Sequence, residues 1–292
     1  MEKRIFEKIN MNKQLINIKD RIEERSKDSR SNYLEKIKFS SEQSKSARDN
    51  MGCSNIAHAF ASCDKAQQNQ GASGGTVIGV VSAYNDMLSA HAPLKDYPDV
   101  IKNSSEKRNA IARVAGGVPA MCDGITQGEP GMELSLFSRD VIALSTAVAF
   151  SHNVFDAGIC LGVCDKIVPG LVIGALSFGH FPIAMLPAGP MPTGISNEEK
   201  SDNRKKYASG EIDRSALISS EQSAYHSSGT CTFYGTANTN QLIMEVMGLQ
   251  LPSASFFQPS TKERLLLIDK TVECILDLKE KAIKMGEKVN TE

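Results

Sequence analysis

The chain has 292 residues, and its 33 lysines and arginines nearly balance its 34 aspartates and glutamates. This balance argues against a nucleic-acid-binding protein, which needs a net basic surface, while a hydrophobic content of 41% is sufficient for a sizeable core. The chain has no uncharged apolar run long enough to span a membrane, and its start is charged. It is therefore expected to be cytoplasmic, with no membrane partner.

The first 48 residues are polar and favour helix, with apolar residues near a helical spacing. These apolar residues are Leu15, Ile16, Ile18 and Ile22. We therefore expect one or two surface helices within an amino-terminal arm that covers residues 1–66. Residues 67–75 are rich in Gln, Gly and Ser and predict a linker. A domain of the α/β class is expected over residues 76–292.

From residue 76 onward, short apolar runs alternate with helical segments. The predicted strands cover residues 76–82, 113–121, 155–163 and 181–186. The predicted helices cover residues 94–107, 133–151, a segment after Pro169, 197–226, a segment after Gly235, and an amphipathic carboxy-terminal tail over 261–286. Continuous apolar strands that alternate with helices indicate an α/β fold with a parallel sheet flanked by helices.

Polar clusters follow three of the predicted strands. The clusters are Asn85-Asp86, Cys122-Asp123 and Cys164-Asp165-Lys166. Because open α/β sheets bind ligands outside the carboxyl ends of their strands, we expect these clusters to share one site. Thiolates favour iron–sulfur clusters, zinc or Cu(I), whereas carboxylates favour Mg²⁺, Ca²⁺ or Mn²⁺. Two Cys-Asp pairs at equivalent strand ends are therefore compatible with an iron–sulfur cluster beside a divalent ion.

The seven cysteines are an odd number in a chain without a visible secretory signal, which disfavours a disulfide framework. No CxxC pair occurs, so a structural zinc knuckle is disfavoured as well. Three cysteines are assigned to packing, because free cysteine is among the most buried residue types: Cys63, Cys160 and Cys274. For Cys122, Cys164 and Cys231, a shared metal site and simple burial are the two alternatives that spacing alone leaves open.

Five segments of the chain resemble one known family. They are residues 82–91 (SAYNDMLSAH), 116–128 (GGVPAMCDGITQG), 131–136 (GMELSL), 161–170 (LGVCDKIVPG) and 229–240 (GTCTFYGTANTN). Together they resemble the dihydroxy-acid and 6-phosphogluconate dehydratase family, with the closer likeness to its phosphogluconate branch.

The resemblance implies an activity. Family members are hydro-lyases that remove water from a 2,3-dihydroxy acid and give a 2-keto-3-deoxy acid. The implied substrate is a small phosphorylated sugar acid of the Entner–Doudoroff pathway. The implied cofactors are a [4Fe–4S] cluster, whose incompletely ligated iron acts as a Lewis acid, and a divalent ion, which is Mg²⁺ in the better-described members.

The resemblance also assigns roles to residues. Cys164 and Cys231 match cluster cysteines, and Asp123 and Asp165 match ligands of the divalent ion. Lys166 matches a lysine that is carbamylated in dihydroxy-acid dehydratases, which would make it an oxygen ligand of the metal. Asp165 and Lys166 are accordingly the expected catalytic residues.

The third cluster cysteine is where the chain departs from the family pattern. Dihydroxy-acid dehydratases have a cysteine where this chain has Ala90. Cys122 is favoured as the replacement because Asp123 brings it to the metal site by covalent connection, and Cys53 is the alternative. The same departure favours the phosphogluconate branch and a [4Fe–4S] cluster.

Other polar residues receive weaker interpretations. His91 lies on a loop expected to face the site and is a candidate substrate contact. Ser138 and Arg139 are candidate phosphate contacts on a helix, and residues 189–191 form a turn that could approach substrate through backbone groups. The remaining histidines are expected to be structural: His58, His152, His180 and His226.

Family enzymes are longer than this chain and have a second, β-rich half that completes the pocket. The chain is therefore expected to be inactive alone and to associate as a homodimer or with a missing carboxy-terminal half. Two alternatives to the phosphogluconate assignment are a fragment of a dihydroxy-acid dehydratase of branched-chain amino-acid synthesis and a non-catalytic remnant of the fold.

Overall fold

A long helix leads into a layered arrangement of parallel strands and helices in this structure, a computed structural model that describes residues 12–44, 48, 51–192, 194–231 and 235–284. Within these residues the strands are β1 (Thr76–Ser82), β2 (Ala110–Gly117), β3 (Ala157–Leu161) and β4 (Ile183–Leu186). The helices are α1 (Lys13–Ser44), α2 (Cys53–Phe60), α3 (Lys65–Ala72), α4 (Tyr97–Glu106), α5 (Asp123–Thr126), α6 (Ser135–Phe150), α7 (Ile167–Leu176), α8 (Asn197–Ala208), α9 (Arg214–Ala224), α10 (Ala237–Val246) and α11 (Lys262–Lys284). No helix among them is long and apolar enough to cross a membrane.

The four strands form one parallel sheet in the order β2-β1-β3-β4. Helices and strands alternate along the chain from β1 to β4, so each strand returns to the sheet in the same direction as the strand before it. The predicted fold class is confirmed, including the helical amino-terminal arm and the carboxy-terminal helix.

Both faces of the sheet are buried, which explains why its strands are continuously apolar. On one face, Ile78 and Ile159 pack with residues of α4 and α11. On the other face, Val81 and Cys160 pack with residues of α6 and α7. Successive side chains of a strand point to opposite faces, so a strand covered by helices on both sides needs apolar residues at every position.

The amino-terminal arm is a single helix over the described residues 13–44. Its second half reaches the body of the protein, where the Tyr33 hydroxyl donates to the Leu176 carbonyl at 2.9 Å and Ile37 is buried. Nearer its start, Leu15 and Ile18 are at least half-exposed. The predicted arm helix is therefore confirmed for this range, and residues 1–11 lie outside the described part of the chain.

The predicted linker over residues 67–75 is wrong, because most of it belongs to helix α3. Asp64 caps this helix by accepting a hydrogen bond from the Gln67 amide at 2.9 Å. Gly71 is buried against the ring of Phe60, and a Cβ at this position would come within 2.4 Å of a ring carbon. The glycine therefore serves close helix packing, and the sequence alone did not separate that role from chain flexibility.

Strand β2 begins and ends earlier than the predicted range 113–121. It pairs with β1 from Ala110 to Gly117, and the chain leaves the sheet just before Pro119. Proline has no amide hydrogen to donate to a strand ladder, which is consistent with the strand ending before it. The predicted helix over 197–226 is likewise two helices, α8 and α9, separated by a turn at Gly210, where φ is +79°.

The carboxy-terminal helix α11 covers one face of the sheet and is also fixed by charge. Ile268, Val272 and Ile275 are buried against the sheet. On its side, Asp269 accepts hydrogen bonds from both terminal nitrogens of Arg108 at 2.8 Å. The guanidinium, together with a hydrogen bond from Ser104, lowers the pKa of Asp269 to about 2.

Helices α6 and α7 are in close contact at two glycines of α7. A Cβ on Gly170 would meet the Arg139 carbonyl oxygen at 2.8 Å, and a Cβ on Gly174 would meet the Ala143 carbonyl oxygen at 2.7 Å. Both obstacles are backbone atoms, which cannot move aside as a flexible side chain would. The separation of the two helices therefore depends on these glycines.

We predict that Gly174→Ala destabilises the protein. Overpacking costs about 1 to 3 kcal/mol, whereas the better helix propensity of alanine returns at most about 1 kcal/mol. The neighbouring Ile173→Ala, which changes a half-exposed side chain, is the control and should lower the stability less. The measurement is thermal or denaturant unfolding of both variants, and a Gly174→Ala protein more stable than wild type would contradict the prediction.

Candidate active site at the carboxyl edge of the sheet

The four strands end side by side, which brings the segments that follow them to one edge. Ser82 pairs with Gly117 on one side and with Leu161 on the other, and Leu161 pairs with Leu186. The pairing continues one residue further, because Ala83 donates to the Leu161 carbonyl at 2.9 Å. This edge is where parallel sheets place their ligands.

The turn after β3 presents Cys164, Asp165 and Lys166 in front of helix α7. Cys164 has a φ of +76°, a left-handed conformation that is uncommon for residues other than glycine. Its carbonyl accepts a hydrogen bond from Val168 at 3.2 Å, so the turn passes directly into the first turn of the helix. A strained residue held this firmly at a ligand-binding edge is typical of functional turns.

Lys166 joins the two predicted metal-binding aspartates. Its ammonium group donates to Asp123 and, at 2.8 Å, to Asp165, and the residue is only 3% exposed. Asp123 also accepts a hydrogen bond from the Ser135 hydroxyl at 2.7 Å. The segment after β2, the segment after β3 and the start of α6 are therefore connected by one polar cluster.

The charges of this polar cluster stabilise one another. Burial acts to lower the pKa of Lys166, but the hydrogen bonds with the two carboxylates outweigh it and raise that pKa. Burial acts to raise the pKa of Asp123, but the hydrogen bonds from Lys166 and Ser135 outweigh it and lower that pKa. The ammonium group lies between two carboxylates and neutralises part of their charge. A metal cation at the same position would do the same.

Cys164 is the centre of the thiol arrangement. Burial raises the pKa of its thiol, and negative charge on Cys122, Asp165 and Cys231 raises it further. Cys122, on the segment that follows β2, and Cys231, beside the segment that follows β4, therefore both lie within electrostatic reach of Cys164. Thiolates collected in this way repel one another, and a bound cation or iron–sulfur cluster would relieve that repulsion.

Cys231 is held at the edge by the segment that follows β4. The Thr230 amide donates to the Gly189 carbonyl at 2.9 Å, and the Met191 amide donates to the Thr230 carbonyl at 2.9 Å. Behind it, the side chain of Asn238 donates to the Cys231 carbonyl at 2.7 Å. The backbone at Cys231 is thus fixed from the sheet and from helix α10.

Within the described residues, no three His, Cys, Asp or Glu side chains converge tightly enough to hold one metal ion. Ligands of a single ion must all lie about 2 Å from it, so the sulfurs of a single-ion site lie close together. A polynuclear cluster is larger, and cysteines bound to its separate irons lie further apart. The chemistry of the donors fits both implied groups, because thiolates are ligands of iron–sulfur clusters and carboxylates are ligands of oxygen-preferring cations.

The other candidate residues lie elsewhere or have other contacts. Cys53 is exposed at the start of α2, and Arg139 is paired with Asp140 on the surface of α6. The Ser138 hydroxyl donates to the Ser135 carbonyl at 2.6 Å. His91 is completely buried, so it presents no surface to a substrate in this structure.

The cysteines assigned to packing have different surroundings. Cys160 is buried within β3, and burial raises the pKa of its thiol to about 12, which agrees with a packing role. Cys274 is partly buried on α11. The sulfur of Cys63 lies 3.0 Å from a guanidinium nitrogen of Arg113.

The sequence interpretation missed residues that support the site from behind. Ser135 lies within the resembling segment 131–136 but carried no predicted role. Tyr97, Asn238 and Arg264 lie in helical patterns, in which a polar residue is normally predicted to be exposed to solvent. Only the folded chain shows that these side chains are buried and directed at the carboxyl edge.

His91 fastens the segment after β1 to the end of β3. Its Nε2 atom lies 3.2 Å from the Val163 carbonyl oxygen, and its Nδ1 atom has no partner among the described residues. Burial lowers the pKa of this imidazole to about 4. The folded protein therefore keeps His91 neutral under conditions in which the unfolded chain would protonate it.

We predict that His91 makes the protein less stable in acid. Its pKa is about 4 when folded and 6.5 when unfolded, so its contribution is complete above pH 6.5 and is lost as the pH falls towards 4. The loss is at most about 3 kcal/mol. Denaturant unfolding of wild type and His91→Gln between pH 7 and 4 measures it. Equal pH slopes in the two proteins would contradict the prediction.

Comparison with known proteins gives one matching family model and several relatives with related names. The family model described as Dihydroxy-acid/6-phosphogluconate dehydratase N-terminal matches residues 76–292. A phosphogluconate dehydratase of Pseudomonas aeruginosa is 54% identical over 255 residues, which are 87% of this chain and 42% of the relative. One of Escherichia coli K12 is 53% identical over 260 residues, again 87% of this chain and 42% of the relative.

A dihydroxy-acid dehydratase of Aquifex aeolicus is more distant. It is 33% identical over 222 residues, which are 74% of this chain and 40% of the relative. The chain spans less than half the length of each of these relatives. The family match over residues 76–292 includes every strand of the sheet and the whole carboxyl edge. The chain therefore belongs to the dihydroxy-acid/6-phosphogluconate dehydratase family.

Proposed function

We propose that this chain is the cluster-binding part of a 6-phosphogluconate dehydratase. The reaction removes water from 6-phospho-D-gluconate and gives 2-dehydro-3-deoxy-6-phosphogluconate, a step of the Entner–Doudoroff pathway. The observation that carries this proposal is the meeting of Cys122, Cys164 and Cys231 at the same sheet edge as Asp123 and Asp165. Its family generally needs a metal ion or an iron–sulfur cluster.

The three thiols would hold a [4Fe–4S] cluster. Such a cluster supplies, when bound, an iron with an open position that acts as a Lewis acid towards a hydroxyl group. Cys122 is preferred to Cys53 as the third ligand because its charge acts directly on Cys164, whereas Cys53 is exposed at the start of α2. The turn conformation of Cys164 would present its sulfur at the centre of the three.

Asp123, Asp165 and Lys166 would hold a divalent ion, for which Mg²⁺ is the natural choice among oxygen-preferring cations. Lys166 in its ammonium form already neutralises both carboxylates. Carbamylation would convert this cation into an anionic oxygen donor at the same place, so that the three side chains would all become ligands. Ser135 would keep Asp123 oriented by its hydrogen bond.

The chain's own residues would therefore act by binding and orienting a small phosphorylated sugar acid. Asp165 and Lys166, proposed as the catalytic residues, lie where the turn after β3 meets helix α7, next to the proposed cluster ligand Cys164. Lys166 is buried, whereas Asp123 and Asp165 keep about a third of their side-chain surface exposed, so a ligand could reach the carboxylates from solvent.

The remainder of the active enzyme is proposed to lie outside this chain. The relatives are more than twice as long as the matched segment, so the pocket would be completed by their carboxy-terminal part. The division into an arm over residues 1–66 and a cluster-binding domain over 76–292 is also a proposal, supported by the start of the family match at residue 76. A homodimer, or association with a carboxy-terminal half, and a cytoplasmic location stay predictions.

The dihydroxy-acid dehydratase alternative is less well supported. The relative of that name is 33% identical, against 54% for the Pseudomonas phosphogluconate dehydratase. Ala90 also stands where the resemblance to that branch implies a cysteine, and in this structure it is buried in the core. The phosphogluconate assignment accounts for both observations.

We predict that the chain binds a cluster through the three proposed cysteines. After anaerobic reconstitution with iron and sulfide, the wild type should show visible absorbance and stoichiometric iron and sulfide. Cys122→Ser, Cys164→Ser and Cys231→Ser should each lose most of it. The matched control, Cys53→Ser, should behave as wild type. Cluster loss in Cys53→Ser together with retention in Cys122→Ser would reverse the choice of third ligand.

A wild-type chain that takes up no iron or sulfide, although its helical content is intact, would favour the non-catalytic remnant. Stoichiometric zinc without visible absorbance would also overturn the cluster assignment.

We also predict that the reconstituted chain alone does not dehydrate 6-phosphogluconate at a rate comparable with its full-length relatives. The chain covers 42% of the Pseudomonas relative, and the remaining part of that relative would have to supply the groups that complete the site. Release of the 2-keto product is measured for the chain and for the full-length Pseudomonas relative as positive control. Activity of the chain at the relative's rate would show that the matched segment is catalytically complete.

A further inference from the structure

The segment that follows β4 is held by an unusual set of donors. Three consecutive carbonyl groups, those of Pro187, Ala188 and Gly189, each accept a hydrogen bond from a different part of the protein. Arg264 of α11 donates to the first at 3.0 Å, and the Tyr97 hydroxyl of α4 donates to the second at 3.0 Å. The amide of Thr230 donates to the third at 2.9 Å.

Arg264 is the least expected of these donors because it is a buried cation that has no carboxylate partner in the described part of the chain. It is 0% exposed, and besides Pro187 its guanidinium donates to the carbonyls of Ala254, at 2.7 Å, and Phe257. Its Nε atom has no partner among the described residues. Burial lowers the pKa of its guanidinium. Removing a charge from water is costly unless it is fully compensated, so stability alone does not account for an arginine here.

The backbone around Gly189 packs closely against this arginine. Gly189 has a φ of +95°, and a Cβ there would lie 2.3 Å from a guanidinium nitrogen of Arg264 and 2.0 Å from the Phe257 carbonyl oxygen. The segment and the guanidinium are therefore packed without space between them. A change at Arg264 must be transmitted to the backbone of residues 187–189.

From this segment the contacts lead to a proposed cluster ligand. The Thr230 hydroxyl donates to the Asn238 side-chain oxygen at 2.6 Å, and Asn238 donates to the Cys231 carbonyl at 2.7 Å. Pro190 and Thr230 form an isolated parallel bridge, so Cys231 directly follows the paired residue. Thr230 belongs to none of the four strands, so these hydrogen bonds, together with the one from the Gly229 amide to the Ser89 carbonyl at 2.7 Å, connect Cys231 to the sheet edge.

We propose that Arg264 is a positioning residue for Cys231. By fixing the carbonyls of residues 187–189, it sets the position of the Thr230–Cys231 backbone relative to Cys164. The role of Cys231 as a cluster ligand rests on the proposed function. The control of its position by Arg264 does not depend on that function. Arg264 itself contacts neither thiol, so its effect passes through the 187–191 segment.

The test compares Arg264→Lys and Arg264→Gln with wild type and with Arg108→Gln. Arg108 also fastens α11 to α4, through Asp269 and Glu273, but it has no contact with residues 187–191. It is therefore the matched control for a weakened helix α11. The first readout is alkylation of individual cysteines by a maleimide in the metal-free protein, followed by peptide mass spectrometry.

Arg264→Gln should accelerate alkylation of Cys231 by about tenfold or more, the effect of losing at least one hydrogen bond of a charged group. Arg264→Lys, which keeps the charge but not the three-way geometry, should be intermediate. Cys160 is completely buried and reports global opening. Its rate should not change in either variant, and both cysteines should react in Arg108→Gln at nearly wild-type rates.

The second readout is the rate at which the reconstituted cluster is lost to an iron chelator. It should rise by about tenfold in Arg264→Gln and stay within about twofold of wild type in Arg108→Gln. Equal acceleration of Cys160 and Cys231, or no change at Cys231, would overturn the proposal and leave Arg264 as an ordinary core residue. If wild type binds no cluster, the proposed function fails, while the alkylation rates still decide the role of Arg264.

If the Arg264 variants do not fold, the same measurements are made on Tyr97→Phe instead. This substitution removes only the hydrogen bond to the Ala188 carbonyl and keeps the ring in place. It should accelerate alkylation of Cys231 by a few-fold without affecting Cys160, because it loosens the same segment through a neutral donor. An unchanged Cys231 rate in a folded Tyr97→Phe protein would count against control of Cys231 by the 187–191 segment.

Discussion

The parallel register of the sheet is the constraint on which the remaining organisation depends. Because Ser82, Gly117, Leu161 and Leu186 lie side by side, every segment that leaves the sheet does so at one edge. Residues far apart in the chain thereby become neighbours without any direct sequence relationship. A parallel sheet also needs helices on both faces, so the core that holds the strands in register is built from the same helices that begin or end at the site.

Charge is concentrated at that edge in a way that only a cation can balance. Several groups there are acidic, and the single ammonium of Lys166 is shared by two carboxylates. The thiol of Cys164 is kept protonated by burial and by the negative charges around it. Binding of a metal requires deprotonated ligands, so the energetic cost built into this edge would be offset by the cation or cluster it is proposed to bind.

The sequence predicted those features that are local. Apolar runs identified all four strands, because strands buried on both faces carry apolar residues throughout, and the Cys-Asp pairs marked the strand ends. It did not predict helix α3, since a glycine needed for close packing against Phe60 looks the same as a flexible glycine. Nor did it identify Arg264, which lies in an amphipathic helix where an arginine is normally solvated. Both failures concern contacts between distant segments, which have no signature in a local pattern.

The two parts of the candidate site are therefore positioned in different ways, one by chain connectivity and the other by hydrogen bonds between distant segments. Cys164, Asp165 and Lys166 are adjacent in the chain, and a short turn before α7 is enough to fix their relative positions. Cys231 follows no strand. It reaches the edge because Thr230 pairs with the segment after β4, whose carbonyls are held by α4 and α11, and because Gly229 donates to the Ser89 carbonyl after β1 at 2.7 Å. Its position therefore depends on the docking of the carboxy-terminal helix on the sheet. The Asp123–Lys166–Asp165 arrangement depends on β2 and β3, which both pair with β1, and on the starts of α6 and α7, whereas the proposed role of Arg264 gives the third thiol a further dependence on α11.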